Sequence, residues 1–259
     1  MSKIANAFKD GKAFIAFLTG GDPTPEKTVE YILTMEKAGA DLIEIGIPFS
    51  DPTAEGVVIQ DANIRALKAG TTTDKIFEIV KEVRKTSQIP LVFLTYLNPV
   101  FHYGYDAFFK KCKEYQVDGL IIPDLPYEEK HEVTDVADLY GVDIISMIAP
   151  TSKQRIQMIA SEAKGFIYIV SSMGVTGVRS EITTDIPGIV EAIRQVSDVP
   201  AAVGFGISTP AQAEEMAKAS DGAIVGSAIV KIIAAKKDQA APDLYDYVRS
   251  MKEAVQKAD

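Results

Sequence analysis

The chain has 259 residues, 36 of them acidic and 27 basic, giving a formal net charge of −9, and 47% are apolar. That acidic balance excludes a general nucleic-acid surface, which needs clustered Lys and Arg, and no uncharged apolar run reaches the ~18 residues of a membrane span. The lone cysteine, Cys112, cannot form an internal disulfide, and the first residues lack an apolar core and a small-residue cleavage site, so a cytoplasmic setting is expected.

An extra helix is expected ahead of the first strand. Strand character then recurs at residues 14–20, 41–46, 90–96, 119–124, 143–150, 165–171, 201–206 and 222–227, each run rich in Val, Ile, Phe or Leu and closed by Gly, Pro, Ser or Asp. Between them lie charged segments of helical period, such as residues 26–39, 106–117, 128–140 and 210–220. The widest gap, after the second strand, holds two helical patterns, residues 57–70 and 74–85. Regular alternation of strand and helix implies parallel strands with crossover helices. Eight such units in about 250 residues suit a (β/α)8 TIM barrel formed by one domain over residues 1–259. A doubly wound sheet would show a G-x-G-x-x-G first turn, and residues 19–22 do not carry one.

In a barrel of this kind chemistry sits at the C-terminal strand ends. The polar groups there are Thr19, Asp22, Glu44, Tyr96, Asn98, Asp124, Tyr168, Ser171 and Ser227. Residues 171–185 form a polar Gly/Ser/Thr stretch much longer than the ~2–6 residues of an ordinary βα loop, and are expected to act as an active-site lid. Prolines 48 and 52 rule out continuous helix or strand after the second strand.

Three glycine turns fall in the last third: Gly174–Gly177, Gly204–Gly206 and Gly226–Ser227. The last opens a short apolar helix. Bare backbone N–H groups and a helix N-terminus suit an anion, so these turns are expected to bind phosphate without help from Lys or Arg.

Glu44 is the informative carboxylate. Strand alternation puts it on one face with Leu42 and Gly46. A Glu on an apolar strand is either ion-paired or working, and no predicted strand carries an internal Lys or Arg to pair it. Burial would raise its pKa toward general acid–base use. Asp51 and Glu55, on the next loop, read equally as solvated residues or as site residues. Tyr168 is either a core aromatic or a hydroxyl aimed at a carboxylate or substrate. His102 and His131 have no spaced partners, so no metal site is expected, and Cys112 reads as a packed apolar residue.

Taken in order, IEIGIPFSDPTAEG, LTYLNPV, IIPDLPYEE, YIVSSMGVTGVR, GFGIS and GSAIVKII resemble the tryptophan synthase alpha subunit family across nearly the whole chain. That resemblance implies a lyase of tryptophan biosynthesis that cleaves indole-3-glycerol phosphate into indole and glyceraldehyde 3-phosphate. It also implies an allosteric α2β2 heterotetramer with a β subunit carrying pyridoxal phosphate, and no cofactor in this chain. It assigns Glu44, Glu55 and Tyr168 to catalysis, and Gly177, Gly206, Gly226 and Ser227 to the substrate phosphate. Phe17, Leu94, Tyr96, Ile121, Thr176 and Phe205 match the indole pocket. Residues 50–56, 98–103 and 124–128 are expected as loops at or near the β subunit, in a region rich in Pro48, Pro52, Pro99, Phe101, Pro123, Pro126 and Tyr127. Two departures stand out. The family commonly reads A-D-G-P where this chain has Ala54-Glu55-Gly56-Val57. The longer carboxylate and the missing proline imply a looser loop and a slower lyase in the absence of the partner.

Overall fold

The computed structural model describes residues 3–171 and 184–258. Its strands are β1 (Ala13–Thr19), β2 (Leu42–Gly46), β3 (Leu91–Leu94), β4 (Gly119–Ile121), β5 (Asp143–Ile144), β6 (Ser146–Ile148), β7 (Ile167–Val170), β8 (Ala201–Gly204) and β9 (Gly222–Val225). All recorded pairs are parallel, in the order β5-β4-β3-β2-β1-β9-β8-β7-β6. The fold is therefore the expected TIM barrel.

One expected strand is divided. Residues 143–150 give two short strands, with Asp143 and Ile144 paired to Gly119 and Leu120 of β4 and Ser146–Ile148 paired to Ile167–Ile169 of β7. The break falls at Ile145, whose N–H still reaches the Leu120 carbonyl at 2.9 Å. The backbone thus hands its hydrogen bonds from one neighbour to the other within a single stretch, and the barrel closes through that handover.

Helices follow the strands: α1 (Pro25–Ala38), α2 (Val57–Lys68), α3 (Thr73–Val83), α4 (Leu97–Tyr103), α5 (Tyr105–Glu114), α6 (His131–Tyr140), α7 (Lys153–Ala160), α8 (Ile186–Arg194), α9 (Pro210–Ala219), α10 (Ser227–Lys236) and α11 (Ala241–Gln256). Residues 98–103, expected as a loop, belong to α4. Pro99 occupies its third position, where the backbone N–H has no intrahelical partner to lose. The Asp124 carboxylate accepts from the Leu97 N–H at 2.9 Å and supplies the cap. The extra N-terminal element is a five-residue 3-10 helix, Ile4–Phe8, rather than an α-helix, too short to satisfy an i→i+4 ladder of its own. A further 3-10 turn, Tyr127–Glu129, lies at the end of the expected 124–128 loop.

Strand alternation sorts the core into two layers. Phe14, Ala16, Leu18, Ile43, Ile45, Leu91 and Phe93 face the helices, whereas Ala13, Ile15, Leu42, Val92, Ile121, Phe166 and Ala202 fill the barrel interior. Ile4, fully buried, joins the interior layer, so the N-terminal turn packs into the barrel core. Cys112 packs in the helix-facing layer beside Phe108 and Phe109. Outside the divided strand, ion pairs Arg155–Glu128, Lys130–Glu162 and Lys164–Asp138 (the last at 2.6 Å) tie the segment before and within α6 to α7 and its following turn. Among the described residues no helix is long and apolar enough to cross a membrane.

Candidate active site

The C-terminal ends of the strands surround a cavity, the place where a barrel of this kind builds its site. Phe17 of β1, Glu44 of β2, Leu94 and Tyr96 at the end of β3, and Tyr168 of β7 line it. Glu55 on the loop after β2, Phe205 and Gly206 after β8, and Gly226 and Ser227 after β9 are the other lining residues that sequence reasoning had singled out. Ile121 is fully buried in the interior layer with Leu42 and Val92 and is not part of the lining. Thr176 and Gly177 lie outside the described residues, as does most of the expected lid.

Glu44 sits where alternation put it, on the inward face of β2, in register with Phe17 and Val92. It is 1% exposed, and its Oε1 has no hydrogen-bond partner. Burial alone raises its pKa to about 8, since no cation offsets the cost of placing a charge there. The carboxyl is therefore protonated at neutral pH. Tyr168 neighbours it electrically: burial, and then the Glu44 charge, push the phenol well above its ordinary value. The phenol sits close to β8, and a Cβ on Gly204 would lie 2.3 Å from the Tyr168 hydroxyl oxygen, so only glycine leaves room for it.

Glu55 and Asp51, equivalent on paper, are separated by the fold. Asp51 is exposed beside Ser50, whereas Glu55 is 6% exposed and turned into the cavity. Asn63 Nδ2 of α2 donates to its Oε2 at 2.6 Å, and the Gln60 side chain donates to its backbone carbonyl at 2.7 Å. The Tyr96 hydroxyl bonds the same carboxylate and accepts from the Ala54 N–H at 3.0 Å. Burial raises the Glu55 pKa to about 7, and the Asn63 and Tyr96 bonds pull against that rise by favouring the ionised form. The loop that looked loosened by Val57 is thus fixed through Glu55 itself. Asp22, another strand-end candidate, is spent on structure. Both of its oxygens accept from Arg65 of α2, at 2.9 and 2.7 Å, which ties the first loop to α2.

Opposite in character to the carboxylates is the end formed by β8 and β9. Gly206 has φ +84°, a left-handed conformation that glycine adopts without penalty. Gly226 is the N-cap of α10 and no side chain caps this helix, so its first N–H groups are available beside the cavity. The described lining contains no Lys or Arg. Among the described residues no group of three or more His, Cys, Asp or Glu is placed to hold a metal ion.

Sequence reasoning missed Ala54, Ile59, Pro123, Met147, Ile207 and Ile224 in the lining. Met147 lies in register with Tyr168, and Ile224 with Ile15. Register, carried across from Tyr168, was the signal that could have found Met147; Ile15 offered no such starting point for Ile224.

The family model for the tryptophan synthase alpha chain matches residues 4–256. The tryptophan synthase alpha chain of Lacticaseibacillus casei is 51% identical over 98% of this chain and 96% of its own length. That of Lactiplantibacillus plantarum is 50% identical over 98% and 97%. Among solved structures, the alpha chain from Legionella pneumophila superposes with a TM-score of 0.89 at 34% identity, covering 99% of this chain and 98% of that one. A structure of the tryptophan synthase a2b2 complex from Pyrococcus furiosus, described in terms of mutual activation, matches with a TM-score of 0.84 at 34% identity, covering 93% and 98%. With the barrel, the ordered strand-end motifs and these full-length matches in agreement, the chain belongs to the tryptophan synthase alpha chain family.

Proposed function

We propose that this cavity cleaves indole-3-glycerol phosphate by a retro-aldol step, releasing indole and glyceraldehyde 3-phosphate. The observation that carries the reading is Glu44, a buried carboxyl whose Oε1 has no hydrogen-bond partner, in a cavity also lined by Gly206, Gly226 and the uncapped N-terminus of α10. Phosphate binds at Gly206, Gly226 and Ser227, together with Gly177, through backbone N–H groups and the Ser227 hydroxyl. The indole ring lies among Phe17, Leu94, Tyr96 and Phe205, with Ile121 packed behind Leu94, and Thr176 is assigned to the same pocket by the resemblance.

Indole is a poor leaving carbanion, so its C3 must be protonated first. Glu44 gives that proton and becomes a carboxylate. The indolenine so formed carries positive charge, which the Glu55 carboxylate stabilises as it accepts the ring N–H. Glu44 then takes the proton of the glycerol hydroxyl beside the breaking bond. The C–C electron pair returns to the ring, the hydroxyl carbon becomes the aldehyde, and Glu44 regains its proton. Tyr168 lies beside Glu44 and orients it. Phosphate binding at the far end supplies remote binding energy that fixes the glycerol chain. The chain itself carries no cofactor in this scheme; pyridoxal phosphate belongs to the partner.

The partner is a β subunit, in an α2β2 assembly of cytoplasmic enzymes. Two exposed apolar residues support docking at this face. Phe101 of α4 is 64% exposed and Val57, opening α2, is 70% exposed, and both elements follow the C-terminal ends of adjacent strands. Residues 50–56 and 124–128 flank them. The test is indole release from indole-3-glycerol phosphate by the chain with and without β subunit. Release in both, faster with the partner, is expected; no indole in the presence of β subunit would overturn the reading.

A further inference from the structure

After β8 the chain enters the cavity in an unusual conformation. Phe205 has φ +74° and Gly206 +84°. Glycine takes this region freely, but a bulky aromatic residue there is a genuine outlier that its surroundings must hold in place. Its ring meets Tyr168 edge-on, with centroids 6.1 Å apart and planes at 84°, which fixes the side chain but not the peptide that follows.

That peptide is held by Ser171, at the end of β7. The Ser171 hydroxyl donates to the Phe205 carbonyl at 2.6 Å, and the Ser171 N–H donates to the Gly204 carbonyl at 3.1 Å. The Ser171 carbonyl in turn accepts from the Thr184 hydroxyl. Ser171 is 1% exposed and does not line the cavity, whereas Phe205, Gly206 and Ile207 do. The Phe205–Gly206 bond is trans, so its C=O and N–H point in opposite directions. Tying the carbonyl to Ser171 therefore directs the Gly206 N–H away from Ser171. With both residues at positive φ, the competing arrangement is a flipped peptide, which would turn a carbonyl oxygen where the amide now points. An anion would then meet the negative end of the dipole.

We propose that Ser171 is a positioning residue for the substrate phosphate, acting through the Phe205–Gly206 peptide, whose polarity its hydroxyl sets. This rests on the reading of Gly206 as a phosphate contact. The full chain is titrated calorimetrically with glycerol 3-phosphate, with glycerol, and separately with indole, as wild type, Ser171→Ala and Ser171→Cys. The Ala variant should bind glycerol 3-phosphate about tenfold more weakly, a loss of about 1.4 kcal/mol, while indole affinity stays within about twofold. The thiol, nearly isosteric but a weak donor, should fall between. In turnover with the β subunit, KM should rise while kcat holds, because only binding of the remote phosphate is impaired. Unchanged glycerol 3-phosphate affinity in Ser171→Ala would overturn the proposal, as would equal weakening of both ligands, the mark of a merely structural role. Should the Ala variant not fold, unchanged affinity in Ser171→Cys overturns it equally. A wild type that binds glycerol as well as glycerol 3-phosphate would instead remove the phosphate reading, and this proposal with it.

Discussion

Glu44→Gln keeps the outline of the side chain but cannot exchange a proton, and its consequences for stability and for chemistry run in opposite senses. In the folded chain the Glu44 pKa is raised from 4.5 to about 8. Between those values the folded state holds a proton that the unfolded chain has released, so stability is fully present below pH 4.5 and is lost as pH rises toward 8. Each pH unit in that window costs about 1.4 kcal/mol, or roughly 3 kcal/mol between pH 5 and 7. Glu55, raised to about 7, acts in the same direction over a narrower window, so the quantity that isolates Glu44 is the difference between wild type and variant. Urea unfolding at pH 5, 6, 7 and 8 should show wild type losing stability steeply and Glu44→Gln losing it more gently, with the gap between the two slopes near one proton. Indole release by the variant should drop by at least ~10²–10⁴-fold, the usual worth of a general acid–base. Parallel stability profiles would refute the claim that Glu44 is protonated in the fold, and near-normal indole release from a folded variant would refute its role.

Four further outcomes are expected. Gly206→Val forces a branched side chain to φ +84°, so glycerol 3-phosphate affinity should fall more than tenfold while the melting temperature moves by only a few degrees; calorimetry and thermal unfolding measured together check this. Indole release should follow a bell-shaped pH profile with limbs near 7 and 8, because Glu55 must ionise while Glu44 keeps its proton. Tyr96→Phe removes one of the two side-chain bonds that favour ionised Glu55 and should move the acid limb upward. Phe101→Asp, at an exposed position, should weaken β-subunit association at least tenfold in a pull-down or sedimentation titration and leave the basal rate of the isolated chain unchanged.

What could be read in advance follows from periodicity. Apolar strands closed by turn residues marked the barrel, and alternation along residues 41–46 placed Glu44 inward because Leu42 shares its face. Two kinds of information were missing. The first is hydrogen bonding across distant segments. Nothing in the order Ser50-Asp51 to Ala54-Glu55 says that Asn63 and Tyr96 will hold one acid in the cavity and leave the other in water. The second is local backbone choice. Residues 98–103 were expected as a loop, yet Pro99 at the start of a helix forfeits no hydrogen bond, and residues 143–150 read as one strand because a change of pairing partner leaves no trace in side-chain pattern. Ile121 is in register with Leu94 of the cavity wall but is itself fully buried.

The divided strand sets how the barrel comes apart. One arc runs from β1 to β5 and the other from β6 to β9, and their hydrogen-bonded seam is β1 against β9. At the opposite side the arcs are joined by the chain itself at Ile145, with two or three paired residues on either side. A cylinder with one ladder-bonded seam and one covalent hinge does not loosen evenly. Local opening concentrates at the hinge, where few backbone bonds must break, and amide exchange there is expected to outpace that at β1–β9. Met147, immediately beyond the hinge, is part of the cavity wall. Breathing of the scaffold at its weakest point is therefore transmitted directly to the volume in which the substrate must be held still.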